Sequence, residues 1–240
     1  MTDTTSDAGP VTFDLRGAVA RITIDDGKAN ALSHEVLGAI ETALDTAERS
    51  AGAVVIVGRE GKFTAGFDLS VMTAGPEQAR ELLGRGAELA LRLTMFPVPV
   101  VMGVTGHALA MGGILLSAGD VRIGAEGPYK IGLPEVRIGM PVPGFAVELC
   151  RSRLSPRAFN KAILLAHSFT PAEALDGGFF DELLPLEQVP GRADEVAAEL
   201  AEQLHRGPFR MTREITNGAL VARLRSSLAD DLASFDVADR

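Results

Sequence analysis

The sequence predicts an α/β fold, and three observations support this prediction. Short uncharged runs with the length of a buried strand occur at residues 53–58 and 97–104. Apolar residues spaced three and four apart, which is typical of amphipathic helices, lie between those runs. The two kinds of segment alternate through the first half of the chain, as they do in α/β proteins. The length of 240 residues is compatible with one large domain or two small ones.

The first elements are a hairpin and a helix. Alternating apolar residues in 11–15 and 19–25, on either side of Arg16-Gly17-Ala18, predict two antiparallel strands. Ser33 is placed to cap a helix that ends near Gly52. The apolar positions of that helix are Val36, Leu37, Ile40 and Leu44. The run AVVIVG that follows is rich in β-branched residues and predicts a buried strand.

The pattern then repeats along the chain. Pro76 opens a long amphipathic helix that Phe96-Pro97 closes. Its apolar positions include Leu82, Leu83, Leu89 and Leu93. The segment 97–104 predicts the next buried strand, Met111 to Ala118 a helix, and VRIGA at 121–125 a further strand.

The second half of the chain is mainly helical. Thr170-Pro171-Ala172-Glu173 is a capping box with proline at the first helical position, and Gly177-Gly178 ends that helix. Beyond Leu186 only helices are expected. Their apolar stripe consists of Met211, Ile215, Leu220, Leu224, Leu228, Leu232 and Phe235. Such a stripe packs either on the body of the chain or on a neighbouring copy.

Composition and charge exclude several classes of partner. The hydrophobic fraction of 46% and the charged fraction of 23% are those of a globular protein. A net charge of −9 argues against nucleic acid as a partner. Membrane insertion is not expected, because no apolar stretch reaches roughly 18 residues. The N-terminus lacks the basic and apolar regions of a signal peptide, so a cytoplasmic protein is expected.

Several common site chemistries are missing from the sequence. GREGKFT at 58–64 lacks the spacing and the Ser or Thr of a P-loop, and the motifs GxGxxG, HExxH and GxSxG are absent. The four histidines are scattered, so no metal site is expected. His107 lies in a candidate site region, where a turn residue and a substrate contact are both open. Cys150, in an apolar stretch, is interpreted as a small buried hydrophobe.

Three stretches combine glycine or proline with functional groups: FTAGFDLS at 63–70, GHALAMGG at 106–113 and IGLPEVRIGMPVP at 131–143. The first two follow predicted strands and are expected to be loops at the strand ends, where ligands bind in α/β sheets. A helix that begins near Met111 presents free N–H groups. One N–H from each loop would form an oxyanion hole. Alternatively, the glycines only permit close packing of helix on strand.

Five segments of the chain together resemble the crotonase, or enoyl-CoA hydratase/isomerase, superfamily. They are NALS at 30–33, FTAGFDL at 63–69, GHALAMGGILLSAGD at 106–120, LPEVRIGMPVP at 133–143 and FTPAEALDGGFFDELLP at 169–185. Their order and spacing match that family over nearly the whole chain. The resemblance implies a spiral of repeated ββα units followed by C-terminal helices. Residues 1–10 are then a disordered tail, 11–195 the spiral core and 196–240 a helical lid or assembly region.

The resemblance also assigns site residues. The two backbone N–H groups of the oxyanion hole map to Phe67 and to Met111, where the family usually has glycine. Residues expected to bind substrate or coenzyme A are Ala65, Gly66, Asp68, Leu69, Ser70 and Gly112. The residues themselves favour a capping role for Asp68, and for Asp120 a role in closing the connection from helix to strand.

One carboxylate carries the expected chemistry. Hydratases of the family use two glutamates, and Ile114 occupies the first of those positions here. The second is Glu135, whose apolar neighbours Leu133, Val136, Ile138 and Met140 are expected to raise its pKa. Moving a double bond needs only one base. The LPE pair, the IG that follows it and the FTPAEAL segment look most similar to the Δ3,Δ2-enoyl-CoA isomerase branch, and this resemblance assigns Glu135 as the catalytic residue.

The expected function is therefore the conversion of 3-enoyl-CoA to 2-enoyl-CoA in fatty acid metabolism. Two alternatives stay open: a 2-enoyl-CoA hydratase with one acid missing, and an acyl-CoA-binding protein without turnover. No cofactor is expected apart from coenzyme A as part of the substrate. The resemblance implies a homotrimer or a dimer of trimers.

Overall fold

The computed structural model describes residues 9–234. Its strands are β1 (Val11–Arg16), β2 (Val19–Ile24), β3 (Ala31–Leu32), β4 (Ala53–Val57), β5 (Gly61–Thr64), β6 (Gly66–Phe67), β7 (Val100–Val104), β8 (Gly106–Leu109), β9 (Val121–Ala125), β10 (Ile131–Gly132) and β11 (Glu182–Leu184). Its helices are α1 (His34–Ser50), α2 (Leu69–Met72), α3 (Pro76–Thr94), α4 (Met111–Ala118), α5 (Gly144–Arg153), α6 (Pro156–Ile163), α7 (Pro171–Gly177), α8 (Val189–Gln203) and α9 (Arg206–Ser234). Short 3₁₀ turns occupy Glu135–Ile138 and Leu186–Gln188.

The strands form a larger sheet and two smaller ones. The larger sheet has the order β1-β2-β4-β7-β9-β11, in which β1 is antiparallel to β2 and the later neighbours are parallel. The strands β5, β8 and β10 form a second parallel sheet, and β3 pairs with β6. Three successive pairs of strands, β4-β5, β7-β8 and β9-β10, each add one strand to each of the two main sheets, and a helix follows each pair, as in β7-β8-α4. The predicted spiral of ββα units is thus confirmed.

Both faces of the larger sheet are covered. All five residues of β4 are buried, as expected for a parallel strand packed on two sides. Val54 and Ile56 join the main hydrophobic core with α1 and α3, whereas Val55 and Val57 join a smaller cluster. Helix α8 covers that second face. The predicted boundary between residues 195 and 196 falls inside α8, and residues 1–8 of the predicted tail lie outside the described residues.

The predicted elements form where the chain carries local capping, turn and strand signals. Strands β1 and β2 form the N-terminal hairpin. The Ser33 hydroxyl accepts a hydrogen bond from the Val36 N–H at 3.2 Å and caps α1. Thr170 and Glu173 form both bonds of the capping box, and Gly178 ends α7 in the left-handed conformation. The strands at 53–57, 100–104 and 121–125 and the helix from Met111 to Ala118 are confirmed.

The apolar stripe of α9 is divided. Leu224 and Leu228 are buried, and Leu220 and Leu232 pack against the main core. By contrast, Met211 and Ile215 are exposed in the structure of residues 9–234, with 64% and 82% of their surface accessible to solvent. Phe235 lies outside the described residues. The stripe therefore packs on the body of the chain only from residue 220 onward. Within residues 9–234, no helix has the length and apolarity needed to cross a membrane.

Arg213 attaches the first half of α9 to the body of the chain. Its side chain is buried, with Nη1 donating to the Phe96 carbonyl at 2.8 Å and Nη2 lying 2.5 Å from the Asp120 carboxylate. The same Asp120 oxygen accepts a bond from the Val100 N–H at 2.9 Å. Asp120 thus joins the end of α4 to β7 and α9, which confirms its predicted structural role.

The change Arg213→Ala should lower the free energy of unfolding by about 3 kcal/mol, since it leaves the partly buried Asp120 without its cation. Urea denaturation measures this difference. Arg210→Ala, at an exposed position one turn earlier, is the control and should stay within about 0.5 kcal/mol of wild type. Equal effects of the two changes would contradict an anchoring role for Arg213.

Candidate active site

A cavity of about 390 Å³ lies between α2 and α3, the beginning of α4, and the segment 134–143. We call it the Glu135 cavity. It is lined by Ala29, Ala31, Ala65, Phe67, Leu69, Met72, Leu83, Leu109, Ala110, Ile114, Pro134, Glu135, Ile138, Met140 and Pro143. Glu135 is the one ionisable side chain among these residues. The cavity is therefore an apolar chamber with a single carboxyl group.

The second parallel sheet brings together the three stretches singled out in the sequence. The first two stretches were expected to be loops, and this was wrong in part: they contain the short strands β5 and β8, which pair with each other. Strand β10 pairs with β8 on its other side. The Ala110 N–H donates to the Gly132 carbonyl at 3.0 Å, only three residues before Glu135. The sheet thus fixes the start of α4 relative to the glutamate.

The Phe67 N–H is directed away from the neighbouring strand. The next N–H along the chain, that of Asp68, donates to the Leu32 carbonyl on β3 at 3.2 Å. Successive N–H groups of an extended strand point to opposite sides. Because the Asp68 N–H points toward β3, the Phe67 N–H points away from it. The residue itself lines the Glu135 cavity.

Met111 is the first residue of α4, and its N–H has no partner within the helix. The preceding residue, Ala110, has φ 51° and ψ −124°, a backbone conformation that is rare for alanine and is typical of strained functional sites. The side chain of Met111 is fully buried, and it is not among the residues that line the cavity. The methionine side chain is therefore not part of the cavity wall.

Gly66 allows the two amide segments to meet. Its φ is +94°, and a Cβ added there would lie 2.7 Å from the Ala110 Cβ and 3.3 Å from the Met111 nitrogen. Real Cβ atoms do not approach other heavy atoms as closely as 2.7 Å. Gly66, the residue before Phe67, therefore packs directly against the turn at residues 109–111, which only glycine permits. This contact brings together the two segments that carry the Phe67 and Met111 N–H groups.

Glu135 begins the 3₁₀ turn that follows Pro134 and is 6% exposed. Its Oε2 atom is buried and has no hydrogen-bond partner. Burial raises the pKa of the carboxyl from 4.5 to about 7, opposed only by a bond from its own backbone N–H. The expected rise is confirmed. Of the four neighbours expected to cause the rise, Val136 and Ile138 are exposed, at 49% and 39%, although Ile138 also lines the cavity.

Ile114 lies in the first turn of α4, is 2% exposed and lines the same cavity. Its aliphatic side chain can neither give nor accept a proton. Within the part of the chain that the structure describes, Glu135 thus faces the cavity without a second carboxyl group.

The other predicted site residues lie in different places. Ala65 and Leu69 line the cavity. Gly112 packs α4 on β5, since a Cβ there would lie 2.6 Å from the Thr64 carbonyl oxygen. Asp68 caps α2, accepting from the Ser70 N–H at 2.8 Å and from its hydroxyl at 2.6 Å. The capping role of Asp68 is confirmed, whereas substrate binding by Gly112, Asp68 and Ser70 stays a prediction.

His107 and Cys150 have structural roles. The His107 Nδ1 atom accepts a bond from the Lys130 N–H at 2.9 Å, and the residue does not line the cavity. Cys150 is fully buried, which raises the pKa of its thiol to about 12 and confirms its interpretation as a hydrophobe. Among residues 9–234, no group of three or more His, Cys, Asp or Glu side chains is arranged to hold a metal ion.

The site contains residues that the sequence analysis did not identify. Leu109, Ala110 and Pro134 line the cavity beside the predicted residues. Alanine and leucine carry no side-chain chemistry, so their only signal was their position beside Gly106 and Met111. The positive φ of Ala110 has no signature in the residue type.

Comparison with known proteins gives a consistent assignment. A family profile described as "Enoyl-CoA hydratase/isomerase" matches residues 14–236. A probable enoyl-CoA hydratase of Bacillus subtilis is 36% identical over 197 residues, which are 77% of this chain and 73% of that protein. The human mitochondrial enoyl-CoA delta isomerase 1 is 29% identical over 228 residues, or 92% of this chain and 75% of that protein.

Solved structures show the same fold. The crystal structure of an enoyl-CoA hydratase/isomerase family protein from Pseudomonas syringae superimposes with a TM-score of 0.92 at 36% identity. The match covers 95% of this chain and 98% of that one.

Gly66→Ala should destabilise the fold more than an equivalent change elsewhere. The new Cβ adds a contact of 2.7 Å with Ala110 to the cost of a positive φ. The matched control is Gly17→Ala, where φ is +61° and no atom lies within 4 Å of the added Cβ. Urea denaturation should give a loss of unfolding free energy that is about 1–3 kcal/mol greater for Gly66→Ala. Equal losses would show that the two segments are not in close contact.

The stability of wild type relative to Glu135→Gln should depend on pH. A pKa raised from 4.5 to about 7 by burial means that the neutral carboxyl is favoured in the folded state. Its contribution to stability is complete below pH 4.5 and is lost as the pH rises through about 7. Glutamine does not ionise. The unfolding free energy of the variant, relative to that of wild type, should therefore rise by up to about 3 kcal/mol between pH 4.5 and pH 8. A difference in unfolding free energy that is constant with pH would refute this.

Proposed function

The chain belongs to the enoyl-CoA hydratase/isomerase family, and we propose that it moves the double bond of an unsaturated fatty acyl-CoA from the 3 to the 2 position. The observation that carries the proposal is the Glu135 cavity, in which one carboxyl group of raised pKa faces apolar walls. The acyl chain occupies the apolar part of the cavity. The thioester lies at its edge, beside the N–H groups of Phe67 and Met111.

The two amides stabilise the charge that develops during the reaction. When a proton leaves C2, the thioester oxygen gains negative charge as an enolate. Two backbone donors at this oxygen, in a cavity with apolar walls, favour the enolate over the neutral thioester. Loss of one such donor in other enzymes costs about a hundredfold to a thousandfold in rate. The donors are main-chain groups, so methionine at position 111 is compatible with this role.

Glu135 carries the proton. Its carboxylate takes a proton from C2, and the electron pair of that C–H bond passes into the enolate. The resulting acid then returns a proton to C4, where the electron pair of the C3–C4 double bond forms the new C–H bond. The enolate pair forms the C2–C3 double bond of the product, and the thioester carbonyl is restored. The numbers of atoms and electrons are unchanged, so no cofactor beyond the coenzyme A of the substrate is needed. A pKa near 7 suits a group that must both accept and donate a proton near neutral pH.

Ile114 favours isomerisation over hydration. Adding water to a double bond requires one group that activates the water and another that protonates carbon. An aliphatic side chain lines the cavity where hydratases of the family carry their first glutamate. Hydration is the second candidate, since the Bacillus subtilis relative is described as a probable hydratase. In that case an ordered water or another group would replace the missing acid.

The proposal is tested by incubating the protein with a 3-enoyl-CoA and with a 2-enoyl-CoA. We expect isomerisation of the first, and Glu135→Gln should lower kcat/KM by about a hundredfold or more. Glu60→Gln, a change of the same type at an exposed position, is the control and should retain wild-type activity. Wild-type kcat/KM should rise with pH and level off above about 7, because the carboxylate is the reactive form.

Each alternative has its own result. Rapid loss of the 2-enoyl-CoA absorbance without isomerisation would identify a hydratase. Tight binding of both thioesters with no reaction would identify a non-catalytic acyl-CoA-binding protein. Undiminished isomerisation by Glu135→Gln would reject the proposed proton carrier.

A further inference from the structure

Helix α3 has two glycines in its interior, Gly84 and Gly86, although interior glycine costs a helix about 0.5–1 kcal/mol relative to alanine. Their surroundings differ. A Cβ added at Gly84 would meet only the flexible end of Leu232, at 3.1 Å. A Cβ added at Gly86 would lie 2.3 Å from Cζ and 2.5 Å from Cε1 of Phe67. The lack of a side chain is therefore essential only at Gly86.

The edge of the Phe67 ring rests on the backbone of α3 at Gly86. The Cε atom of Met111 lies 3.5 Å from the same added Cβ position, so the ring and the methionine share this contact with the helix. Phe67 also lines the Glu135 cavity. Phe67 thus contacts α3 through its ring and also forms part of the cavity wall.

The neighbours of the Phe67 ring limit where it can lie. Helix α3 and the buried Met111 limit it on one side, and the cavity is the free space beside it. The backbone of Phe67 is held by the pairing of β6 with β3 and by the contact of Gly66 with Ala110. Rotation of a side chain costs less than movement of a backbone held in this way. A group that displaces the ring from Gly86 therefore pushes it into the cavity.

We propose that Gly86 and Phe67 together determine the length of acyl chain that the protein accepts. Gly86 receives the ring and keeps it out of the volume that the chain occupies. This inference rests on the proposed binding of acyl-CoA, but not on the proposed isomerisation. It can be tested with saturated thioesters, which bind without reacting.

The experiment measures the Kd of hexanoyl-CoA and of decanoyl-CoA by calorimetry. Gly86→Ala should raise the Kd of decanoyl-CoA by about tenfold more than that of hexanoyl-CoA, since a misfit of one methylene group has an effect of this size. Gly84→Ala, on the same helix, is the matched control and should leave the ratio of the two Kd values unchanged. Urea denaturation of both variants compares their stability.

The double variant Phe67→Ala with Gly86→Ala removes the ring that the new methyl group displaces, and it keeps the proposal testable if Gly86→Ala folds poorly. The ratio of the Kd values should return to within about threefold of wild type or shift in favour of the longer chain. An equal loss of affinity for both thioesters in Gly86→Ala would overturn the proposal. So would a double variant that still discriminates against decanoyl-CoA. Isomerase activity does not enter this measurement, so failure of the proposed reaction is a separate result.

Discussion

The site depends on the contact of Gly66 with the turn at Ala110 and Met111. The two N–H groups come from different elements, β6 and α4, and they serve one oxygen only if those elements touch. A side chain at residue 66 would separate them. The strained backbone of Ala110 costs about 1–3 kcal/mol, and the close packing of α4 on Thr64 and β10 holds it in place. The ββα repeat supplies this packing, because it places β5, β8 and β10 side by side.

The second constraint is a buried carboxyl without a cation or hydrogen-bond donor at its Oε2 atom. Structural carboxylates are normally paired, as Asp120 is with Arg213 in the same protein. Among the described residues no group pairs with the Oε2 atom of Glu135, and burial of the carboxyl raises its pKa. The apolar wall that makes the charged carboxylate costly also makes it a stronger base and strengthens the electrostatic effect of the two amides. The apolar side chains around Glu135 thus lower the stability of the folded protein when the carboxyl is charged, and the same side chains increase its reactivity as a base.

The sequence predicted the elements that have local signals. The capping residues Ser33 and Thr170 and the β-branched strand at 53–57 each act through contacts within a few residues, so their pattern is sufficient. Strands β5 and β8 were not predicted, because each has only four residues with a glycine among them and shows no clear periodicity. They form through pairing in a sheet with β10, which the local sequence does not indicate. The exposure of Val136, Met211 and Ile215 and the inward orientation of Met111 depend on tertiary packing, which the residue types do not reveal.

The two parts of the site differ in how they respond to substitution. Main-chain amides are present whatever the side chain, so Met111 can replace glycine while the positive φ falls on Ala110. A proton carrier, in contrast, requires a side chain that can ionise. Relatives named as a probable hydratase and as an isomerase match this chain at 36% and 29% identity, so overall identity does not separate the two reactions. In the reaction proposed for this chain, the aliphatic side chain of Ile114 matters because it cannot hold a second proton in the Glu135 cavity.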